Sequence, residues 1–299
     1  MSDFYGLSTR GIANQHLRLE FLATAGPRIV HLFLNGSEEN LLAEVPDVTW
    51  ELAEGTFYIR GGHRLWHAPE HFPRTYQPDN EGLLIEELAD GVRLTQPTEA
   101  ATGIRKQIEI HLHADKPIIT LNHYLHNDGL WSVELAPWGI TQMPLGGVAI
   151  LPQPFQGDPD SLLPNRNLSL WAYTRLDDPR LSLHDDYILV QGQSLPEALK
   201  IGYLNTRGWL GYLYRGMFFC KQFAPQPVQQ HPDNNCNTEC FCKDAFLELE
   251  TLAPLTILEP GQVVEHTETW MLYPNIETPA TLEGVRKLVK TLDLDSQST

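Results

Sequence analysis

The sequence predicts an all-β protein of antiparallel strands, closed by one short helix near its end. Three observations carry that prediction. Segments in which apolar and polar residues alternate recur along most of the chain, turn-forming residues separate them, and helical periodicity is confined to residues 281–291. No repeat or linker interrupts the series, so the chain is read as one domain, 1–299, with its core at about residues 10–275.

Taken in order, residues 16–24 alternate Leu17, Leu19 and Phe21 with Arg18 and Glu20. Residues 27–35 follow an Ala-Gly-Pro turn with Ile29, His31 and Phe33, which predicts a hairpin. Residues 57–59 are aromatic and β-branched and form a strand that ends in a turn at Gly61-Gly62. Alternation continues through 83–89, 91–98, 103–114 and 116–127, and Asn127-Asp128-Gly129 then supplies a turn. Over 131–143, Val133 and Leu135 point one way and Glu134, Ala136 and Trp138 the other. Gln142 rejoins the second face, and Pro137 marks an edge or a bulge. The Pro-, Gly- and Asp-rich stretch 151–167 is a loop or a surface insertion. Strands are predicted next at 168–173, 187–191, 198–204, 209–215 and 217–223. Residues 241–256 read as one strand with Phe246, Glu248 and Glu250 on a single face, and Pro260-Gly261 turns the chain into a last strand at 263–273. The helix 281–291 gathers Leu282, Val285, Leu288 and Val289 on one side, as a terminal brace.

Composition excludes several classes of function. A net charge of −17 argues against nucleic acid, whose partners present a basic face. No apolar run reaches the roughly 18 residues of a membrane span, and the first residues lack a basic, apolar leader, so a cytoplasmic protein without membrane contact is expected. Three of the four cysteines crowd into Cys236-x3-Cys240-x-Cys242, a spacing that matches no zinc pattern, and buried thiols are expected. No feature specifies an oligomeric state.

Residues 57–71 concentrate chemistry as no other stretch does. Arg60, His63, Arg64, Trp66 and His67 offer fixed charge, titratable nitrogen and a flat apolar face, a mixture that suits a polyhydroxylated small molecule. Arg60 and Arg64 read equally as partners for surplus carboxylates. His63, His67 and His71 recur every four residues, but Pro69 breaks a continuous helix face and no Cys or acid completes a set. Neither a metal nor another cofactor is expected. Glu248 and Glu250 lie among Leu247, Leu249 and Leu252, where an acid is more often functional than in a loop. Glu134 and Glu239 are weaker acidic candidates of the same kind.

The motif Arg60-Gly61-Gly62-His63-Arg64-Leu65-Trp66 resembles the galactose mutarotase-like group. So do residues 122–127 leading into Ser132-Val-Glu-Leu-Ala-Pro-Trp-Gly-Ile-Thr, then Leu247-Glu-Leu-Glu-Thr251, Pro260-Gly261 and a final Glu268-x-Trp270 strand. The likeness spans about residues 10–275. It implies a large antiparallel β-supersandwich that binds a sugar on its concave face, and the activity of an aldose 1-epimerase. By the same resemblance Arg60 matches an arginine that holds sugar hydroxyls, and Glu250 matches the general base that removes the anomeric hydroxyl proton. The family's acid is a histidine on the strand matching 132–141, where this chain has Ala136-Pro137-Trp138. Two readings follow: His63 or His67 approaches from the opposite side as the acid, or the protein binds a sugar without opening it. Trp138 suits the second as a stacking platform. Arg64, Trp66, Glu134, Gln142, Glu239 and Glu248 complete the expected sugar contacts. A third reading, a lyase or hydrolase, needs Glu134 or Glu239 placed across the ligand from Glu250.

Overall fold

Residues 3–155, 157, 160, 162–277, 279 and 281–296 are described in the computed structural model. Their strands form two large antiparallel sheets and a two-stranded ribbon, Glu44–Leu52 with Gly55–Gly61. The middle of the first sheet runs, side by side, Leu17–Leu22, Arg28–Leu34, His63–Ala68, Val133–Pro144, Phe246–Leu252, Thr238–Lys243 and Leu199–Tyr203. The second centres on Trp209–Tyr214, Met217–Phe223, Val263–Tyr273, Ile118–Asn127 and Ile104–Leu112.

Alternation makes the core. Leu19, Ile29, Leu65 and Leu249 from the first sheet pack with Ile108, Leu121, Tyr212 and Trp270 from the second. Each such side chain, fully withdrawn from water, contributes about 1.5–3 kcal/mol. The helix Leu282–Leu292 starts at Thr281, whose side chain accepts from the Gly284 amide, and it sets Val285, Leu288 and Val289 against Trp209, Phe218 and Met271. It braces the second sheet, as its periodicity predicts.

The predicted hairpin of Leu17–Leu22 with Arg28–Leu34 is present, and the strands expected from 83 to 127 pair in sequence. Four expectations change. His63–Ala68 is a full strand rather than part of a turn. Residues 241–256 hold parts of three strands, because Asp244 takes a left-handed φ of 46° and folds Thr238–Lys243 back on Phe246–Leu252 before Thr256–Leu258 begins. The expected strand at 168–173 shrinks to Ser169–Leu170, and in the loop 151–167 residues 156, 158, 159 and 161 lie outside the described residues. Pro137 sits in a central strand, where its neighbour on one side changes from Thr256–Leu258 to Phe246–Leu252. A residue without an amide donor is tolerated at such a gap in the ladder.

Arg60, Gly61 and Gly62 all have positive φ, 57°, 93° and 68°, and this bend carries the chain from the ribbon into the first sheet. A Cβ on Gly61 would stand 2.0 Å from the Ala43 carbonyl oxygen, and one on Gly62 would stand 1.8 Å from that of Ile29. Only glycine fits either position.

Candidate functional site

Register decides which side chains meet. Trp138 pairs with Trp66, Ile140 with Arg64 and Glu250, and Gln142 with Glu248, so all seven leave the first sheet by the face away from the core. The next strands add Glu239 and Phe241, paired with Glu250 and Glu248, and then Lys200, paired with Phe241. A cavity of about 440 Å³ opens on this face. Arg64, Lys200 and Glu248 line it together with Trp66, Trp138, Trp171, Tyr76 and Phe241, and the ribbon contributes Trp50 and Ile59. That volume lies in the range of small-molecule pockets, about 300–1,000 Å³.

Aromatic rings lock the walls. The Trp66 ring lies edge-on to Tyr76 and to Trp138, with centroids 4.8 and 5.5 Å away. The Arg64 guanidinium stacks 4.2 Å from the Trp66 centroid, and Lys200 Nζ sits 4.5 Å from Trp138 and 4.7 Å from Trp171. Cations over ring faces are attracted by the ring quadrupole.

Two buried charge groups lie beneath. Arg64 Nη2 and Gln142 Nε2 each donate to Glu248 Oε1 at 2.9 Å. Lys200 Nζ lies 2.8 Å from Glu239 Oε2 and 3.1 Å from Glu250 Oε2, which also accepts from Trp138 Nε1 at 2.8 Å. Burial pushes the Glu248 carboxyl above the usual carboxylate range, against the pull of Arg64. Burial also raises Glu239 well above that range, with the Glu250 charge adding to it and the Lys200 ammonium pulling the other way. Burial disfavours the Lys200 ammonium, but Glu239 and Glu250 outweigh it and hold its pKa well above the ordinary lysine value. Lys200 is therefore a fixed cation.

The expected residues divide into three groups. Arg64, Trp66, Trp138 and Glu248 line the cavity. Gln142, Glu239 and Glu250 are buried next to it and touch its lining through Glu248, Lys200 or Trp138. Arg60, His63, His67 and Glu134 are elsewhere. The left-handed bend turns Arg60 to Asp79 and Asn80, at 2.5 and 2.6 Å. Glu134 is exposed near the start of its strand. His63 and His67 alternate with Arg64 and Trp66 and so emerge on the core face, which corrects the expectation that either serves as the acid. His67 is buried with Nε2 3.7 Å from Glu99, and burial lowers its pKa. His71, the third of the spaced histidines, is exposed.

On that core face a polar chain joins the sheets. The Thr141 hydroxyl is 2.9 Å from His63 Nδ1, His63 Nε2 is 2.8 Å from His123 Nε2, and His123 Nδ1 is 2.9 Å from the His266 carbonyl oxygen. A carbonyl only accepts, so His123 Nδ1 carries a proton. In the neutral rings His63 then donates through Nε2 and accepts from Thr141. Glu268 lies close enough that one of its oxygens and one ring nitrogen from each of His63 and His123 fall within 4.8 Å of one another. It accepts instead from Lys221 at 3.0 Å, from Thr251 at 2.5 Å and from Trp270 at 2.9 Å. The set is proton-linked and charge-balanced within the protein.

Lys200, Trp171 and Tyr76 escaped the sequence reading. Lys200 carried a signal, a lone charge between Leu199 and Ile201 in an otherwise apolar strand. Trp171 and Tyr76 lie outside the regular strands and carried none.

No protein-family model matches the sequence, and no curated protein matches it. Solved structures do. A TPR-domain containing protein from Parabacteroides distasonis ATCC 8503 aligns at 13% identity and a TM-score of 0.62, over 92% of this chain and 50% of that one. This chain thus spans about half of that protein. A galactose mutarotase related enzyme from Lactobacillus acidophilus aligns at 9% identity and a TM-score of 0.56, over 92% of this chain and 100% of that one. A galactose mutarotase-like protein from Lactobacillus casei ATCC 334 gives 10% and 0.52, over 89% and 100%. At such identities the likeness is one of architecture: the chain has the galactose mutarotase-like fold.

Proposed function

We propose that the chain recognises a carbohydrate in the cavity on the first sheet, without opening the sugar ring. One observation carries this reading. The Trp66 and Trp138 rings that line the cavity adjoin two buried polar atoms of Arg64, Nε and Nη1, that have no hydrogen-bond partner within the protein. Sugar C–H faces pack on rings, and hydroxyls both donate and accept, so a sugar answers both needs. The fold likeness supports a sugar by analogy only.

Ring opening needs a base at the anomeric hydroxyl and an acid at the ring oxygen. Glu250 is fully buried, and Trp138 and Lys200 occupy its Oε2. No histidine lines the cavity among the described residues. A second reading, an aldose 1-epimerase-like isomerase, draws on the contact between Glu250 and Lys200, a carboxylate and a proton donor side by side. It requires the Trp138–Glu250 bond to open so that substrate reaches the base.

Exchange NMR on a panel of aldoses separates the two. Saturable broadening of sugar lines without transfer between α and β forms is expected, with affinity reduced roughly tenfold in Trp138→Leu. Catalysed transfer that disappears in Glu250→Gln would establish the isomerase instead. Unaltered lines for every sugar would remove both readings.

A further inference from the structure

The cavity is less polar than a simple sugar requires. Apart from the charged groups at its base and rim, its lining is aromatic or aliphatic. Two ring groups flank the charges: Trp50 with Tyr76, centroids 5.5 Å apart, and Phe241 with Phe246, 6.0 Å apart. Trp50 is 37% exposed and Tyr173, another lining residue, 47% exposed, so large apolar side chains stand open to water in this cavity. A monosaccharide carries hydroxyls around its whole edge. Pressed against such rings they lose water and gain no partner, at about 1–3 kcal/mol for each group left unpaired.

The charges also select. Each cation that lines the cavity already has an acid: Arg64 has Glu248, Lys200 has Glu239 and Glu250, and Lys243 Nζ lies 3.6 Å from Asp244. Glu70, the remaining lining acid, accepts from the Tyr76 hydroxyl. A phosphate or carboxylate on the ligand would meet paired cations and an extra negative charge. An uncharged ligand avoids that cost.

On the reading that this cavity takes a sugar, we infer that its ligand is an uncharged glycoside with an aromatic aglycone. The sugar ring sits beside Trp138, Arg64, Glu248 and Lys200, and the aglycone packs among the flanking rings. A glycosidic aglycone removes the free anomeric hydroxyl that anomer exchange needs. The inference therefore goes with recognition rather than ring opening.

The test is titration calorimetry of the whole chain with methyl and phenyl glycosides of glucose and galactose in both anomeric forms, with phenol and glucose 6-phosphate alongside. At least one phenyl glycoside is expected to bind roughly tenfold or more tightly than its methyl counterpart. Trp50→Ser, at a half-exposed position of the lining, is expected to shrink that ratio by weakening the phenyl glycoside more than the methyl one. Equal affinity of methyl and phenyl glycosides would overturn the aglycone and leave the sugar reading intact. Phenol binding as tightly as its glycosides would overturn the sugar reading itself, and so would a failure of every sugar to bind. Tightest binding by glucose 6-phosphate would overturn the choice of an uncharged ligand.

Discussion

Single positions in this protein are constrained by what the opposite face of the strand already holds. Gly139, between the cavity residues Trp138 and Ile140, faces the core, where a Cβ would lie 2.2 Å from Glu268 Oε1. Gly139→Ala is expected to push that carboxylate away from Lys221 and Thr251 and cost about 1–3 kcal/mol, seen as a lower urea midpoint with an unchanged slope. Lys200 is the converse case. Lys200→Met strands Glu239 and Glu250 in a buried site, and a loss of about 3–5 kcal/mol is expected. Adding Glu239→Gln and Glu250→Gln should restore part of the loss, and a triple variant no more stable than Lys200→Met would show that the ion pairs were not the cause. At this scale the sequence was partly legible. Trp138, Glu248 and Glu250 share a face because a strand's period is two, whereas the destination of Arg60 depends on a left-handed bend that also obeys its two following glycines.

Elements were legible where one side met the core and the other met water. Ile118–Asn127 alternates buried and half-buried positions along its whole length, and its pattern is plain in the sequence. His63–Ala68 is buried at every position, with the core on one face and the aromatic cavity on the other, so no polar alternation marks it as a strand. The hairpin at Asp244 was hidden for another reason: the turn contains neither glycine nor proline, and aspartate alone takes the positive φ. The terminal helix was readable from its stripe, and its start rests on one cap. Thr281→Ala is expected to lower stability by about 1 kcal/mol through the lost bond to the Gly284 amide. Thr281→Ser should retain most of it, and equal urea midpoints for the two variants would remove the cap from the account.

The molecule as a whole should resist acid poorly. Burial holds His63 and His123 below the usual histidine range and His266 at about 3, with Glu268 pulling each the other way and losing to desolvation. In the unfolded chain these rings take protons near pH 6.5. Below that pH the unfolded state binds more protons than the folded one, so stability is complete above about pH 6.5 and falls as the pH drops toward the folded values. Urea midpoints measured from pH 7.5 to 5 should decline before ordinary carboxylates titrate, and a flat profile over that window would refute the assignment of neutral, buried rings. The relay that joins the sheets also keeps a clock. The proton on His63 Nε2 lies between two fully buried imidazoles, 2.8 Å from its acceptor, and it meets water only when the layers part. A downfield imidazole resonance that persists after transfer into D2O would be that proton, and its rate of decay would time the separation of the two sheets.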